Sequence, residues 1–246
     1  MGEAEKGNGK KILFTILFAI VFTGIMVFAL TSDIFKVKSV EVKNVKNLDI
    51  DKIKKDSGIV EGRNIFLQRY FKGIFKLKEN ARIQEAKIYP VFPDKIDIYI
   101  EERNENYQIS DENGYYIIDK NGYILRKSDE LQKVIMLLGL KTTALSQKNR
   151  IDREDLDVLE KINKIKYVLD YYNLTDKVTS IEKKDRQFIL DLKDEKKKII
   201  LKEELTELRA QISISKHIIE TEKGKEGEIF NDKNQKRSYM VFREKI

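Results

Sequence analysis

ILFTILFAIVFTGIMVFAL, residues Ile12 to Leu30, holds no charged side chain and decides the plan of the molecule. As a helix its 19 residues span roughly 28 Å at 1.5 Å per residue, close to the ~30 Å hydrocarbon core of a bilayer. Lys6, Lys10 and Lys11 precede the run; Lys36, Lys38 and Lys43 follow it. These nearly equal counts lean only slightly toward an N-terminus inside the cell. A cleaved signal peptide is the alternative: Ala29, Thr31 and Ser32 are small, but Leu30 and Asp33 do not suit cleavage. The run is also longer than the roughly 7–15 apolar residues of a signal sequence. The reading is an uncleaved anchor, residues 12–30, in the lipid bilayer. A disordered Gly/Glu/Lys-rich tail, 1–11, lies in the cytoplasm, and the bulk of the chain lies outside it.

Composition narrows the chemistry. The chain has 246 residues, no cysteine, no tryptophan, two prolines and His217 as its one histidine. Thiol catalysis, disulfides and iron–sulfur clusters are thereby excluded, as is any site needing several histidines. Lys and Arg number 48 against 41 Asp and Glu, a net charge of +7. Both signs are interspersed, so there is no concentrated basic face and no nucleic-acid partner is expected.

Outward from the span, FKVKSVEVKNV (Phe35 to Val45) carries the Val40/Val42 alternation of a strand. Asp49 is placed to cap a short helix around Ile53, with Gly58 as its stop. NIFLQRYFKGIFKLKEN, opened by Gly62 and Asn64, reads as a second helix. Phe66, Tyr70 and Ile74, with Leu67, Phe71 and Phe75, make a wide apolar stripe expected to face the core; a helix lying on the membrane surface is the alternative. RIQEAKIYP and KIDIYIEER are strands, the second alternating Ile96, Ile98 and Ile100 with Asp97, Tyr99 and Glu101. Pro90 and Pro93 sit between them, as a turn or sheet edge requires. The order is β-α-α-β-β.

A single N-terminal span is followed by Val37, Val40 and Val42, then Gly62 to Phe66, Ala86 and Ile88, Pro93, the alternating isoleucines, Glu102-Arg103, and IIDKNGYIL from Ile117 to Leu125. In this order and spacing the chain resembles the FtsQ/DivIB family of bacterial cell-division proteins, although Asn44 stands near a place where that family often has glycine. The resemblance implies an α+β protein: cytoplasmic tail 1–11, transmembrane helix 12–30, a POTRA-like domain 31–103, an FtsQ/DivIB-type β domain with two helices 104–223, and C-terminal edge strands 224–246.

Within that second domain, Asn113-Gly114 and Asn121-Gly122 read as type I′ hairpin turns. Val134 to Leu140 is a buried strand. Ile151 to Leu174 is a helix, with Leu156, Leu159, Ile162, Ile165 and Leu169 recurring at threes and fours. VTSIEK, RQFILDL and KKIILK are three strands, the last two joined by an Asp194-Glu195 turn. Glu203 to Glu222 is a second helix, on which His217 is a surface or packing residue.

The final segment holds two short apolar runs, Glu228 to Asn231 and Ser238 to Phe242, separated by DKNQKR. They read as an edge hairpin. Either it merely completes the sheet, or its edge accepts a partner's strand. The candidate partner-binding residues are Ile229, Phe230, Tyr239, Met240, Val241 and Phe242. The resemblance implies FtsB (DivIC in Gram-positive cells) and FtsL, small bitopic proteins, as the partners, at the division septum.

No phosphate-binding glycine motif is present, and Glu101-Glu102 and Glu203-Glu204 are neighbours whose side chains diverge on a strand. No enzyme, cofactor, metal or small-molecule substrate is expected. Two functions stand: a membrane-anchored division scaffold, and another single-span envelope protein with a POTRA-like module acting in secretion or envelope assembly.

Overall fold

A computed structural model describes residues 3–147, 149–193, 196–232 and 239–245. The chain forms two compact units, Met1–Glu102 and Arg103–Ile246.

The first unit opens with α1, Glu3–Thr31. Of this helix, 23 residues, Gly9–Thr31, are apolar enough to cross a membrane, and none of that stretch is buried by the rest of the protein. The hydroxyls of Thr15, Thr23 and Thr31 donate to the carbonyls of Lys11, Ala19 and Val27 at 2.9, 2.8 and 2.7 Å. These three hydroxyls are thus satisfied within the helix, as a lipid environment demands. Residues 3–11, expected to be disordered, continue the helix instead: once the apolar turns are nucleated, each further residue adds a hydrogen bond at low cost.

Strand β1, Ser39–Lys43, is shorter than the predicted run. Asn44 ends it with φ +62 and donates its side-chain amide to the Ile100 carbonyl at 3.0 Å. Asparagine tolerates this left-handed conformation better than other non-glycine residues. Helix α2, Ile50–Ser57, has the predicted ends: Asp49 accepts from the N–H groups of Asp51 and Lys52, and Gly58 is left-handed at φ +65.

The predicted second helix is divided. Ile65–Leu67 is a 3-10 turn, and α3 is Tyr70–Lys78. Asn64 caps the turn by accepting from the Phe66 N–H at 2.9 Å. The Gln68 side chain, reaching back to Val60 and Arg63, holds the break between them. The broken phase turns the stripe. Ile65 and Leu77 are buried, with Tyr70 and Ile74 partly so, whereas Phe66, Leu67, Phe71 and Phe75 are exposed. Gly73 lies where α3 meets α2; a Cβ there would stand 2.2 Å from the Ser57 carbonyl oxygen.

Strands β2, Ile83–Val91, and β3, Lys95–Glu102, complete a three-stranded sheet in the order β1-β3-β2, with β1 parallel to β3. Pro93 lies in the hairpin. Pro90 lies within β2, which is an edge strand and so has no ladder partner on one side. Ile96, Ile98 and Ile100 are buried at the centre of the core with Val40, Ile53, Ile65 and Leu77; full burial stabilises by about 1.5–3 kcal/mol for each such side chain. Asp97, predicted to face water, is largely buried, its carboxylate 2.6 Å from the Lys43 ammonium.

Glu102 closes the β1–α2 loop. Its carboxylate accepts from the N–H groups of Lys46, Asn47 and Leu48 at 2.6, 2.9 and 3.3 Å. Partial burial pushes the carboxyl's pKa up, but these three N–H groups outweigh it and hold the pKa below the usual carboxylate range.

The second unit is a nine-stranded sheet in the order β12-β11-β10-β9-β8-β7-β4-β5-β6. Its strands are β4 Tyr107–Asp111, β5 Gly114–Ile118, β6 Ile124–Ser128, β7 Ile135–Leu138, β8 Val178–Lys184, β9 Gln187–Leu192, β10 Lys197–Lys202, β11 Gly227–Asn231 and β12 Met240–Glu244. The crossovers carry α4, Arg153–Tyr171, between parallel β7 and β8, and α5, Leu208–Thr221, between parallel β10 and β11. Leu159, Ile162, Ile165 and Leu169 of α4 are buried with Ile212 and Ile219 of α5 against Phe188, Leu190 and Ile199 of the sheet. His217 is exposed. The Asp194-Glu195 turn lies outside the described residues. The two Asn-Gly turns are present but are not type I′: only their glycines have positive φ. Aspartates shape them instead, Asp111 accepting from the Asn113 N–H at 2.8 Å and Asp119 from those of Asn121 and Tyr123 at 2.9 and 2.8 Å.

Ile98→Asp buries an unpaired carboxylate and should cost on the order of 4 kcal/mol, abolishing hydrogen-exchange protection across β1–β3; Phe71→Asp, on an exposed position, should leave that protection intact. Glu102→Gln should destabilise the first unit by about 1–2 kcal/mol at neutral pH. Because the folded pKa lies below the unfolded value of about 4.3, this contribution is complete above that value and vanishes as pH falls through the folded one. The exchange difference between wild type and Glu102→Gln should therefore close in acid. A difference that persists there would remove the carboxylate from this role.

Candidate partner-binding edge

The last two strands are not equivalent. β11 is paired on both sides, parallel to β10 and antiparallel to β12. β12 is paired on one side only and forms an edge of the sheet. The two terminal runs therefore form the expected hairpin at the edge of the sheet, with β12 outermost. The α5 crossover delivers β11 parallel to β10, and only β12 has a free side.

The register states which backbone groups are free. The Lys245 N–H donates to the Glu226 carbonyl at 2.9 Å, and the Asp232 N–H to the Tyr239 carbonyl at 3.0 Å. Directly opposed residues in an antiparallel pair alternate between bonded and unbonded. Tyr239, Val241, Arg243 and Lys245 thus turn their backbone groups to β11, and Met240, Phe242 and Glu244 turn theirs outward.

Side chains follow the same period. Met240 and Ile229 are buried in the core, and Phe242 packs against it. On the opposite face Phe230 stands beside Val241, with the Arg243 guanidinium 4.4 Å above the Phe230 ring. Tyr239 is exposed. Of the six candidate residues, Ile229 and Met240 support the edge from beneath and cannot meet a partner with their side chains. Tyr239 is exposed beside it, and Phe230, Val241 and Phe242 are each half-buried. Ser238 lies outside the described residues. Around the edge, Lys245 pairs with Glu226 at 3.1 Å, and Lys225 with Glu222 at 2.7 Å and Glu244 at 3.8 Å.

Gly227 seats β12. A Cβ there would stand 2.2 Å from the Arg243 carbonyl oxygen and 2.7 Å from the Phe242 ring. Nothing in the local sequence marks this glycine; only the pairing does. The other end of the sheet, β6, is partly covered: the Ile124 N–H donates to the Asn149 carbonyl and the Ile151 N–H to the Gly122 carbonyl, each at 2.9 Å. Among the described residues no group of three or more His, Cys, Asp or Glu could hold a metal ion.

In wild type, hydrogen exchange should be slow at Val241 and Arg243 and fast at Phe242 and Glu244. Gly227→Ala should make all four fast while β8–β10 keep their protection. Uniform slow exchange along β12 would mean that its outer side is covered.

Residues 35–103 match the family described as POTRA domain, FtsQ-type. The chain is similar to the cell division protein DivIB of two Clostridium botulinum strains, Hall and Loch Maree, at 30% and 29% identity over 132 residues, covering 53% of this chain and 51% of each relative. It is also similar to the cell division protein FtsQ of Syntrophotalea carbinolica, at 34% identity over 82 residues, 33% of this chain and 28% of that relative. The chain thus spans about half the length of the DivIB relatives it matches, and less of the FtsQ one. An FtsQ-type POTRA module thus stands between one apolar helix and a nine-stranded sheet, in a chain similar over about half its length to DivIB cell division proteins.

Proposed function

We propose that the chain is a membrane-anchored, non-enzymatic scaffold of the bacterial division machinery. α1 crosses the cell membrane with its N-terminus in the cytoplasm, and residues 31–246 act outside it at the septum. The free side of β12 accepts a strand from an FtsB/DivIC-like bitopic partner, itself paired with an FtsL-like protein. The observation that carries this reading is the pattern of outward backbone groups at Met240, Phe242 and Glu244, flanked by exposed Tyr239 and half-buried Val241 and Phe230. Strand addition draws affinity from such main-chain groups and selectivity from the side chains beside them. The names of the relatives support the division role, and the sheet edge supports the mode of binding.

Glu244→Pro is the sharpest probe. It removes an outward N–H without touching β11 pairing or a buried side chain, since Glu244 is exposed. Truncation after Lys223 is a blunter one, because it also strips Ile229 and Met240 from the core. Co-purification from membranes should recover the DivIC- and FtsL-like proteins with wild type. Glu244→Pro should weaken the complex about tenfold, the equivalent of roughly 1.4 kcal/mol, with circular dichroism unchanged. Undiminished recovery would remove β12 from the interface.

A further inference from the structure

We infer that the α1-facing end of the first unit is a lipid-contacting collar, seated in the headgroup region of the leaflet from which α1 emerges. This rests on the reading of α1 as a bilayer-spanning helix.

Three observations carry it. First, apolar side chains concentrate at one end of the domain. Ile34 lies in the turn after α1, Val60 in the loop after α2, Phe66 and Leu67 in the 3-10 turn, and Val91 and Phe92 at the β2–β3 hairpin. These six are 41–56% exposed. Elsewhere on the first unit outside α1, the exposed large aliphatic and phenyl side chains are Ile50 at the start of α2 and Phe71 and Phe75 along α3.

Second, this end is continuous with α1. The Asn64 amide donates to the carbonyls of Ala29 and Leu30, at 2.8 and 3.1 Å, in the last turn of α1. A chain of ring contacts leads out from within the span: Phe28 to Phe35 at 6.4 Å between centroids, Phe35 to Phe66 at 5.3 Å, and Phe66 to Phe92 at 5.3 Å. If Phe28 is at the margin of the hydrocarbon, Phe66 and Phe92 stand at headgroup depth.

Third, the charge fits. Arg63, Arg69 and Lys95 are exposed on the same segments, and no ion pair engages their side chains among the described residues. Lys36 and Lys38 are held by Asp33 and Asp94 at 2.6 and 2.7 Å. Apolar tips with free cations beside them suit an interface bearing anionic lipid phosphates. That occupant also explains why Phe66 and Leu67, in an apolar run, are left out of the core.

The chain has no tryptophan, so each Trp substitution supplies a single emitter. Full-length Phe92→Trp, Phe66→Trp, Tyr99→Trp and Phe18→Trp would be reconstituted in phosphatidylcholine/phosphatidylglycerol vesicles. Some vesicles would carry bromine near the headgroup end of the acyl chains, others near the chain ends. Tyr99 is half-exposed on β3, about 13 Å along the strand from Lys95. Headgroup-end bromine should reduce emission of Phe92→Trp and Phe66→Trp about twofold or more, as burial of roughly 5–10 Å into the interface requires, and leave Tyr99→Trp unchanged. Chain-end bromine should quench Phe18→Trp. Quenching of Phe18→Trp without quenching of Phe92→Trp and Phe66→Trp overturns the collar while leaving the span in place, and makes the apolar end a protein-docking surface. Loss of Phe18→Trp quenching overturns the span and, with it, the collar.

Discussion

A backbone N–H or C=O withdrawn from water must find a partner, and the cost of leaving one unpaired is comparable to a lost hydrogen bond. This constraint shapes the chain from end to end. α1 meets it by being helical throughout its apolar length, and its threonines meet it by bonding back to their own helix. Where α1 ends, carbonyls in its last turn would be orphaned, and Asn64 supplies the donor for two of them. The same asparagine caps the 3-10 turn with its side-chain oxygen. One side chain thereby ties the membrane helix to the POTRA fold and sets the position of Phe66.

The same accounting explains the Glu102-Arg103 pair. Glu102 gathers three backbone N–H groups of the β1–α2 loop and closes the first unit. Arg103 opens the second unit, within which its guanidinium bonds Asp119 at 2.9 Å and lies 3.8 Å over the Tyr123 ring. Asp119 in turn organises the turn that contains Gly122. Two adjacent residues of opposite charge therefore finish one unit and begin the next, each through charge-assisted hydrogen bonds.

At the C-terminus the outward backbone groups of β12 find no strand partner among the described residues and are left to water. A nine-stranded open sheet has two edges. The 149–151 segment bonds part of β6, whereas β12 keeps a side open. Gly227 lets β12 lie close enough to seat Met240 and Phe242 in the core, so the edge is held firmly from within. An edge that is rigid and yet unpaired is suited to receiving a strand.

Local pattern alone determined most of the elements. The uncharged run specified α1, Asp49 and Gly58 specified α2, the threes and fours of Leu159, Ile162 and Ile165 specified α4, alternation specified β3, and short apolar runs marked β9 and β10. These are properties of nearest neighbours along a chain, and periodicity reports them directly. Three things were decided by tertiary structure. The apolar stripe of 64–80 was broken at Gln68 by hydrogen bonds to Val60 and Arg63, which turned four of its six large side chains outward. Asp97 was drawn into partial burial by Lys43 of a strand 54 residues away. The candidate edge was divided between a paired strand and a free one because α5 carries β11 into parallel register with β10. Hydrophobic period tells which face of an element is apolar. Which face meets a neighbour depends on contacts distant in sequence, and those exist only once the chain has folded.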